Sequence, residues 1–561
     1  MAGRYRILWV DDEIELLTPH ILYLEERGYT VVRASSGEDA LALCTVESFD
    51  LLLLDERMPG VDGLTVLERL EGIRPDLPVV MITKQEDEGL MEEAIGRSIA
   101  DFLTKPVNPS QVLSVCKRLL ERERIRDETL ARDYTGEFTR ITNRLSGAPL
   151  TPAEWGDLAE ALAWWSLRLD ETGQEGLAES LASLQREADS VFARQVLEAY
   201  PDWVAEAGSW IERLRALGAA SAGTAAGAGS LPALPVQPAG RGDRPGLTVD
   251  LPGAVLRPTL AHAGRAVLLV LDCLRYDQWL AIEPLLASRA HLERSSLFSL
   301  LPSASPYSRN ALFSGRYPDE IAASFPGLTG EDAAETKSPN RYEPQLLAEA
   351  LEQTGSGSRK GSSLALFERV RSPRESDAVV RRLDAGAPEG LAVIVVSFLD
   401  LLVHDHAEST VVQELAPDEG AFRALSREWF RHSPFPRLIG HLLEQGTPVV
   451  IATDHGSTRV ARPVEVRADR TATSGVRYKI GRNLNADPRW THRIDDPAAW
   501  RLPPGRLTDT CLLAREDAFL IFAGDRGDHK RRWAGSFQHG GVSLAEMVVP
   551  LIRLTPLSGT P

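Results

Sequence analysis

Short apolar runs alternate with amphipathic stretches over the first 120 residues. RILWV (6–10), TVVR (30–33), DLLLL (50–54), PVVMI (78–82) and DFL (101–103) have the length and composition of buried strands. Segments such as EIELLTPHILYLEER between them carry the three-to-four-residue spacing of helices. Five β–α repeats of this kind predict a doubly wound parallel sheet over residues 1–122. Helical periodicity then dominates from 123 to 215, which suits a small bundle, with Trp155, Trp164, Trp165, Trp203 and Trp210 as a core stripe. Residues 216–248 are rich in Ala, Gly and Pro and predict a flexible tether without fixed structure. An α/β pattern resumes over 249–561, with AVLLVLD (266–272), LAVIVVSFLD (391–400), TPVVIATD (447–454) and AFLIFAG (518–524) as strands. Three of these runs end in Asp, and ligands gather at the carboxyl ends of strands in open α/β sheets.

Charge and cysteine usage narrow the function classes. The net charge of −18 argues against wrapping duplex DNA, which needs a basic footprint. No helix-turn-helix with a basic recognition helix stands out, so a direct transcription factor is the weakest reading. Cys44, Cys116, Cys273 and Cys511 have no paired spacing, which fits a reducing cytoplasm and no Cys-type zinc site. Cys273 reads as a small buried hydrophobe. The chain opens directly on a strand pattern, and its apolar runs are too short for a membrane span. A cytoplasmic location is the expectation.

The first cluster of chemistry lies at the ends of the early strands. Asp11 and Asp12 follow strand one, Asp55 follows strand three, Thr83 strand four and Lys105 strand five. Three carboxylates make a hard oxygen site suited to Mg²⁺, and a positioned carboxylate can attack a phosphoryl group whose oxygens Thr83 and Lys105 hold. With Asp55 set in the run LDERMPGVDG, this resembles the CheY-like receiver domain of bacterial response regulators. The resemblance implies Asp55 as phospho-acceptor and Mg²⁺ ligand beside Asp11 and Asp12. It also implies Thr83, Lys105 and the aromatic Phe102 as switch residues, and a sensor histidine kinase as partner.

The second cluster is assembled from distant pieces. LDCLRYDQW contributes Asp272, FLDLLVHDH contributes Asp400 and His404, ATDHGST contributes Asp454 and His455, and QHGGVS contributes His539. Three Asp, three His and a hydroxyl form the ligand set of a two-metal hydrolase site, with Zn²⁺ favoured and Mn²⁺ second. Asp405, His406, His432, His441, His492 and His529 are rival ligands. The set resembles the alkaline phosphatase superfamily in its PglZ-type branch. That resemblance implies an alkaline-phosphatase-like α/β sandwich, one metal on Asp400, His404 and His539, and a second on Asp272, Asp454 and His455. PSASPYSRNALFSG matches the spacing of the superfamily's diesterase branch and places Ser305 as nucleophile and metal-facing hydroxyl, with Ser303 as the fallback. Tyr307 and Ser308 stand where that branch has Pro-Asn, which leaves Arg309 or Asn310 either to bind phosphate in their place or simply to cap a helix. VRYKIGRNLN (476–485) offers Arg477, Lys479 and Arg482 as a clamp for a phosphate-bearing substrate.

The order of receiver, helical bundle and PglZ-type domain resembles the PorX-type response regulators of type IX secretion systems. The whole reads as an α/β multidomain response regulator whose output is a metal-dependent phosphodiesterase on short linear or cyclic oligonucleotides, with a phosphorylation-dependent homodimer. The alternative is a signalling scaffold whose PglZ-type domain binds a sigma factor or secretion component without catalysis.

Overall fold

The computed structural model describes residues 5–70, 72–74, 77–84, 99–206, 231, 233–240, 242–325, 340–352, 363–384, 386, 388–469, 472–473, 475–505, 509–524 and 527–557. The chain forms two compact units, Met1–Gly136 and Glu137–Pro561.

In the first unit, β1 (Tyr5–Val10), β2 (Tyr29–Ala34), β3 (Leu51–Asp55), β4 (Val79–Thr83) and β5 (Ile99–Thr104) form a parallel sheet in the order β2-β1-β3-β4-β5. Helices α1 (Thr18–Glu25), α2 (Gly37–Val46), α3 (Gly63–Leu70) and α4 (Pro109–Leu120) accompany it. Ile7, Trp9, Leu51, Leu53, Val80 and Ile82 bury into one core, and Leu8, Val10, Leu52, Leu54, Val79 and Met81 into a second. Strands buried on both faces have no polar side to show, which is why their sequences read as continuous apolar runs.

Helix α5 (Arg122–Leu145) precedes α6 (Pro152–Thr172) and α7 (Glu175–Ala205). Thr151 and Glu154 close a reciprocal capping box at the start of α6. Helix α7 runs through Pro201. Trp155 is buried edge-on against Phe192 at 5.0 Å, and Trp165 and Trp203 are also buried. Trp164 is 46% exposed and does not belong to the expected core stripe, because it lies beside Trp165 on a helix with only one buried face. Trp210 lies outside the described residues.

The second unit contains a six-stranded mixed sheet. Its strands are β6 (Arg265–Leu271), β7 (His291–Phe298), β8 (Leu364–Val370), β9 (Gly390–Val396), β10 (Val449–Ala452) and β11 (Val548–Thr555), in the order β7-β11-β10-β6-β9-β8. Strands β10, β6, β9 and β8 run parallel, and β11 pairs antiparallel with β10 and β7. The parallel strands therefore deliver their carboxyl ends to one edge. The fourth expected strand, within 518–524, is not in this sheet: Ala518–Phe522 pairs in parallel with Arg462–Val466 in a separate two-stranded sheet. Its apolar run buries against Val460 and a partly buried Trp533.

The expected tether ends earlier than residue 248. Residues 216–230 lie outside the described set, but Leu234 is in the apolar core and Gln237 donates to the Gly246 and Ser296 carbonyls. The buried Arg244 guanidinium pairs with Asp250 at 2.7 Å. These side chains supply contacts that an Ala/Gly/Pro composition does not reveal.

The bundle helices pack on the second domain. Tyr200 on α7 accepts a hydrogen bond from the Leu301 N–H at 2.9 Å, and Asp170 on α6 pairs with Arg423 at 2.6 Å. Asp189 Oδ1 on α7 accepts the Leu544 N–H at 2.7 Å. Burial raises the Asp189 carboxyl to about 7. The folded state thus keeps a proton that the unfolded chain releases near pH 4, so stability falls as pH rises from about 4 to about 7. Asp189→Asn keeps the acceptor oxygen and removes the ionisation. We expect the variant to match wild type at pH 4 and exceed it at pH 8 by up to about 4 kcal/mol. Melting curves at both pH values check this, and parallel pH profiles for the two proteins would refute it.

Candidate functional site

In the receiver unit, Asp11, Asp12 and Asp55 each offer an oxygen, all within 4.8 Å of one another. Asp11 and Asp55 are buried and Asp12 is exposed. Lys105 Nζ bridges Asp11 Oδ2 at 2.9 Å and Asp55 Oδ2 at 2.8 Å. Burial pushes the Asp55 carboxyl up, Lys105 pulls it back, and the net shift is upward. Thr83 closes β4, and its carbonyl accepts the Lys105 N–H at 2.7 Å. Phe102 is partly buried against the core around Leu52 and Met81. Asp11, Asp12, Asp55 and Lys105 therefore meet at one sheet edge, with Thr83 at the end of β4, while Phe102 lies within β5 against the core.

In the second unit, three neighbouring strands set the carboxylates. Asp272 follows β6 directly, Asp454 lies two residues beyond β10, and Asp400 sits in the first turn of α10 (Phe398–His406), just after β9. The turn after β6 is unusual: Cys273 adopts a left-handed φ of 68°, rare for a side-chain-bearing residue. Its thiol is buried toward the Gly456 carbonyl, and burial raises its pKa, which leaves a packing residue. After β10, the Asp454 carbonyl accepts from Ser299 Oγ at 2.8 Å and from Ser308 Oγ at 2.5 Å. Thr453 Oγ1 donates to the His455 carbonyl at 2.9 Å. The Asp-His pair is thus fixed by its backbone.

Two ligand sets result. Asp400, His404 and His539 form one, and Asp272, Asp454 and His455 the other; each set holds its ligand atoms within 4.8 Å. Helical spacing of four residues puts Asp400 and His404 on one face of α10, with His404 Nε2 and His539 Nε2 each 3.5 Å from Asp400 Oδ1. The sets adjoin through the His455 and His539 rings, stacked at 4.3 Å. His404, its side chain 59% exposed, marks the open side, whereas Asp454 and His455 are fully buried. His455 Nδ1 lies 3.0 Å from the Gly456 carbonyl and must donate to it, which leaves Nε2 as a lone-pair donor.

The electrostatics call for a cation. Among the described residues, Asp272 Oδ1, Asp400 Oδ1, both Asp454 carboxylate oxygens and His539 Nδ1 are buried without a hydrogen-bond partner. Burial and then the charge of Asp272 raise the carboxyls of Asp400 and Asp454. Burial, His455 and His404 lower the His539 imidazole well below its usual value. Acids that resist ionisation beside an imidazole that resists protonation are what a divalent ion would compensate. The mixed oxygen and nitrogen donors fit such an ion.

Ser305 opens α8 (Ser305–Ser314), and its Oγ lies 3.1 Å from His455 Nε2. Ser303 is used differently. Its Oγ donates to the Gly541 carbonyl at 2.8 Å and accepts the Gly540 N–H at 3.1 Å. It therefore clamps the loop that carries His539. Gly540 has a φ of +114°, and a Cβ on Gly541 would lie 2.5 Å from the Ala514 carbonyl oxygen, so this loop requires both glycines.

The rival imidazoles go elsewhere. His406 is buried with Nε2 2.9 Å from the Ala416 carbonyl, His441 lies 3.1 Å from the Asp384 carbonyl, and His432 faces Glu428. His492 sits beside Trp500, and the side chain of His529 lies outside the described residues.

The expected clamp does not assemble. Arg477 is fully buried against Glu546 at 2.5 Å, and Glu546 Oε1 also accepts the Gly541 N–H at 3.0 Å. Glu546 lies on the short helix α11 (Leu544–Met547) that follows the His539 loop. Lys479 is buried, with Nζ 3.0 Å from the Gly475 carbonyl and over the Phe522 ring. Arg482 pairs with Asp509 at 3.7 Å. Asn310 Nδ2 donates to the Pro306 carbonyl within its own helix. Arg309 is buried against Asp272 and Glu343. Lys479 lies on the strand Tyr478–Gly481, which pairs antiparallel with Thr510–Ala514, and the Gly475 carbonyl and Phe522 ring offset the cost of burying its ammonium. No local pattern in the sequence marks the loop-bracing role of Glu546 and Arg477, which rests on the burial of both side chains beside the Gly541 N–H.

Residues 7–117 match the model of the response regulator receiver domain, 124–204 that of the PorX response regulator linker domain, and 251–554 that of the BREX system PglZ alkaline phosphatase-like domain. Among curated relatives, the alkaline phosphatase synthesis transcriptional regulatory protein PhoP of Bacillus subtilis is 35% identical over 122 residues, 21% of this chain and 50% of the relative. The cyclic di-GMP phosphodiesterase response regulator RpfG of Xanthomonas campestris pv. campestris is 41% identical over 119 residues, 20% of this chain and 32% of the relative. The matches thus span half or less of these relatives. A CheY-like receiver domain protein from Methanospirillum hungatei, known from a crystal structure, is 30% identical, covering 21% of this chain and 97% of that one with a TM-score of 0.20. The receiver and linker matches give a PorX-like order of domains, and with the phosphatase-like model spanning more than half of its length, the chain belongs to the BREX system PglZ alkaline phosphatase-like family.

Proposed function

We propose that this response regulator is a zinc-dependent phosphodiesterase under the control of its receiver. The observation that carries the reading is the Ser305 hydroxyl, 3.1 Å from His455 Nε2, where two three-residue ligand sets adjoin. Bound zinc would supply Lewis-acid polarisation of the phosphoryl group and acidify the hydroxyl. The chain's own residues do the rest. Asp400, His404 and His539 on one side and Asp272, Asp454 and His455 on the other define where the phosphate sits. The first turn of α8 presents Ser305 with the positive end of its dipole toward an anion. Ser305 Oγ bonds to phosphorus as the ester oxygen leaves with its alcohol, and water then cleaves the Ser305–phosphate bond and restores the hydroxyl.

The substrate class we infer is short linear or cyclic oligonucleotides, as the family resemblance suggests. The test is hydrolysis of a chromogenic phosphodiester and the matching monoester by the zinc-loaded protein, before and after chelation. Diester turnover lost on chelation is the expected result, and monoester preference would move the assignment to a phosphatase. No turnover with zinc bound would favour a scaffold that holds a sigma factor or secretion component, the second role that a type IX secretion regulator would need.

A sensor histidine kinase would phosphorylate Asp55, with Mg²⁺ held by Asp11, Asp12 and Asp55. We infer a cytoplasmic protein; among the described residues, no helix is long and apolar enough to cross a membrane. Phosphorylation is expected to drive homodimerisation. Light scattering with and without a small-molecule phosphoryl donor measures this, and Asp55→Ala should remove any change in mass.

A further inference from the structure

The Arg309 guanidinium, one helical turn beyond Ser305 on α8, is held on two sides. Its Nε donates to Glu343 Oε1 at 2.7 Å, and its Nη1 donates to Asp272 Oδ2. Glu343 begins α9 (Glu343–Glu352) and is fully buried. Its other oxygen accepts from Arg369 Nε at 2.9 Å and Nη2 at 2.8 Å, and Arg369 on β8 also donates to the Asn340 carbonyl. A relay of alternating charge therefore runs Arg369–Glu343–Arg309–Asp272. At its end only one Asp272 oxygen is used, and Oδ1 is the buried oxygen without a hydrogen-bond partner.

We propose that Arg309 is a positioning residue for the second metal set, and that it orients Asp272 so that Oδ1 faces Asp454 and His455. This rests on the metal-site reading above. A planar guanidinium fixes two acceptors at set angles, which a point-charge ammonium cannot do. Partners that orient a ligating carboxylate are worth about 10- to 100-fold in metal affinity. Arg309 is also 6% exposed, so substrate does not reach it without breaking both bonds.

The experiment is a calorimetric zinc titration of the full chain, wild type against Arg309→Met and Arg309→Lys, with diester kinetics alongside. Wild type should bind two zinc ions. Arg309→Met should weaken one of them about 10- to 100-fold and leave the other unchanged. Selective loss separates positioning from a general loss of stability, which would weaken both. Arg309→Lys keeps the charge without the fork and should show a smaller selective loss, which keeps the test decisive if Arg309→Met fails to fold. Unchanged zinc binding with a raised KM would overturn the proposal and make Arg309 a substrate contact. A wild-type protein that binds no zinc would overturn the metal-site reading itself.

Discussion

Ser305→Ala should lower phosphodiester turnover about a thousandfold or more while the protein still binds two zinc ions. The Ser305 hydroxyl makes one contact of consequence, with His455, and stands at the first turn of a helix whose remaining side chains are largely buried. Removing one oxygen there takes away the attacking atom and little packing. Ser303→Ala should behave in the opposite way. Its hydroxyl serves the Gly540 N–H and the Gly541 carbonyl, both buried, so the loss leaves two unpaired groups at a cost of about 1–3 kcal/mol each. We expect a lower melting temperature and weaker binding of the zinc ion that uses His539. Comparing kcat, zinc stoichiometry and melting temperature for both variants separates a nucleophile from a loop clamp. Full turnover by Ser305→Ala would end the assignment.

The second large effect concerns Asp454. It is fully buried, both its carboxylate oxygens lack partners, and Asp272 and Asp400 lie nearby. Without metal, burial and the charge of Asp272 oppose ionisation of Asp454, and near neutral pH the fold bears the cost of keeping it protonated. Asp454→Asn removes that ionisation at nearly constant volume. The metal-free variant should melt a few degrees above the metal-free wild type. Its second zinc ion should bind at least about a thousandfold more weakly, because an amide replaces an anionic ligand on a dication. Zinc should accordingly raise the melting temperature of wild type more than that of the variant. Stability thus trades against function at this position. A metal-free variant less stable than wild type would show that Asp454 is held by a shared proton rather than repelled.

Both candidate sites were legible as residue types because strand ends repeat. Asp11, Asp12 and Lys105 follow their strands directly, Asp55 and Thr83 close theirs, and Asp272 and Asp454 follow strands in the second unit. Parallel strands bring their carboxyl ends to one edge whatever lies between them, so order in the sequence becomes proximity in space. The basic residues followed no such rule. Arg477, Lys479 and Arg309 look alike as cations along the chain, yet each is buried against a partner far away in sequence: Glu546, the Phe522 ring, and Asp272 with Glu343. A cation is available to substrate only if no carboxylate claims it, and that depends on tertiary packing.

The strand at 518–522 teaches the same point from the fold. Its apolar run matched those of the main sheet, but it pairs with Arg462–Val466 instead. Periodicity reports burial and not the identity of the neighbour. Likewise, composition marked 216–248 as a tether, while Leu234, Gln237 and Arg244 found partners in the folded domain. By itself the sequence determined the order of receiver, linker and phosphatase-like segments, the strand-end acids and the metal-type residues, because these rest on local period and spacing. Only the tertiary structure separated Ser305 from Ser303, His404 and His539 from their rivals, and bound cations from free ones. Those distinctions are set by which polar groups meet when the surrounding apolar surface is buried, and no local pattern encodes that meeting.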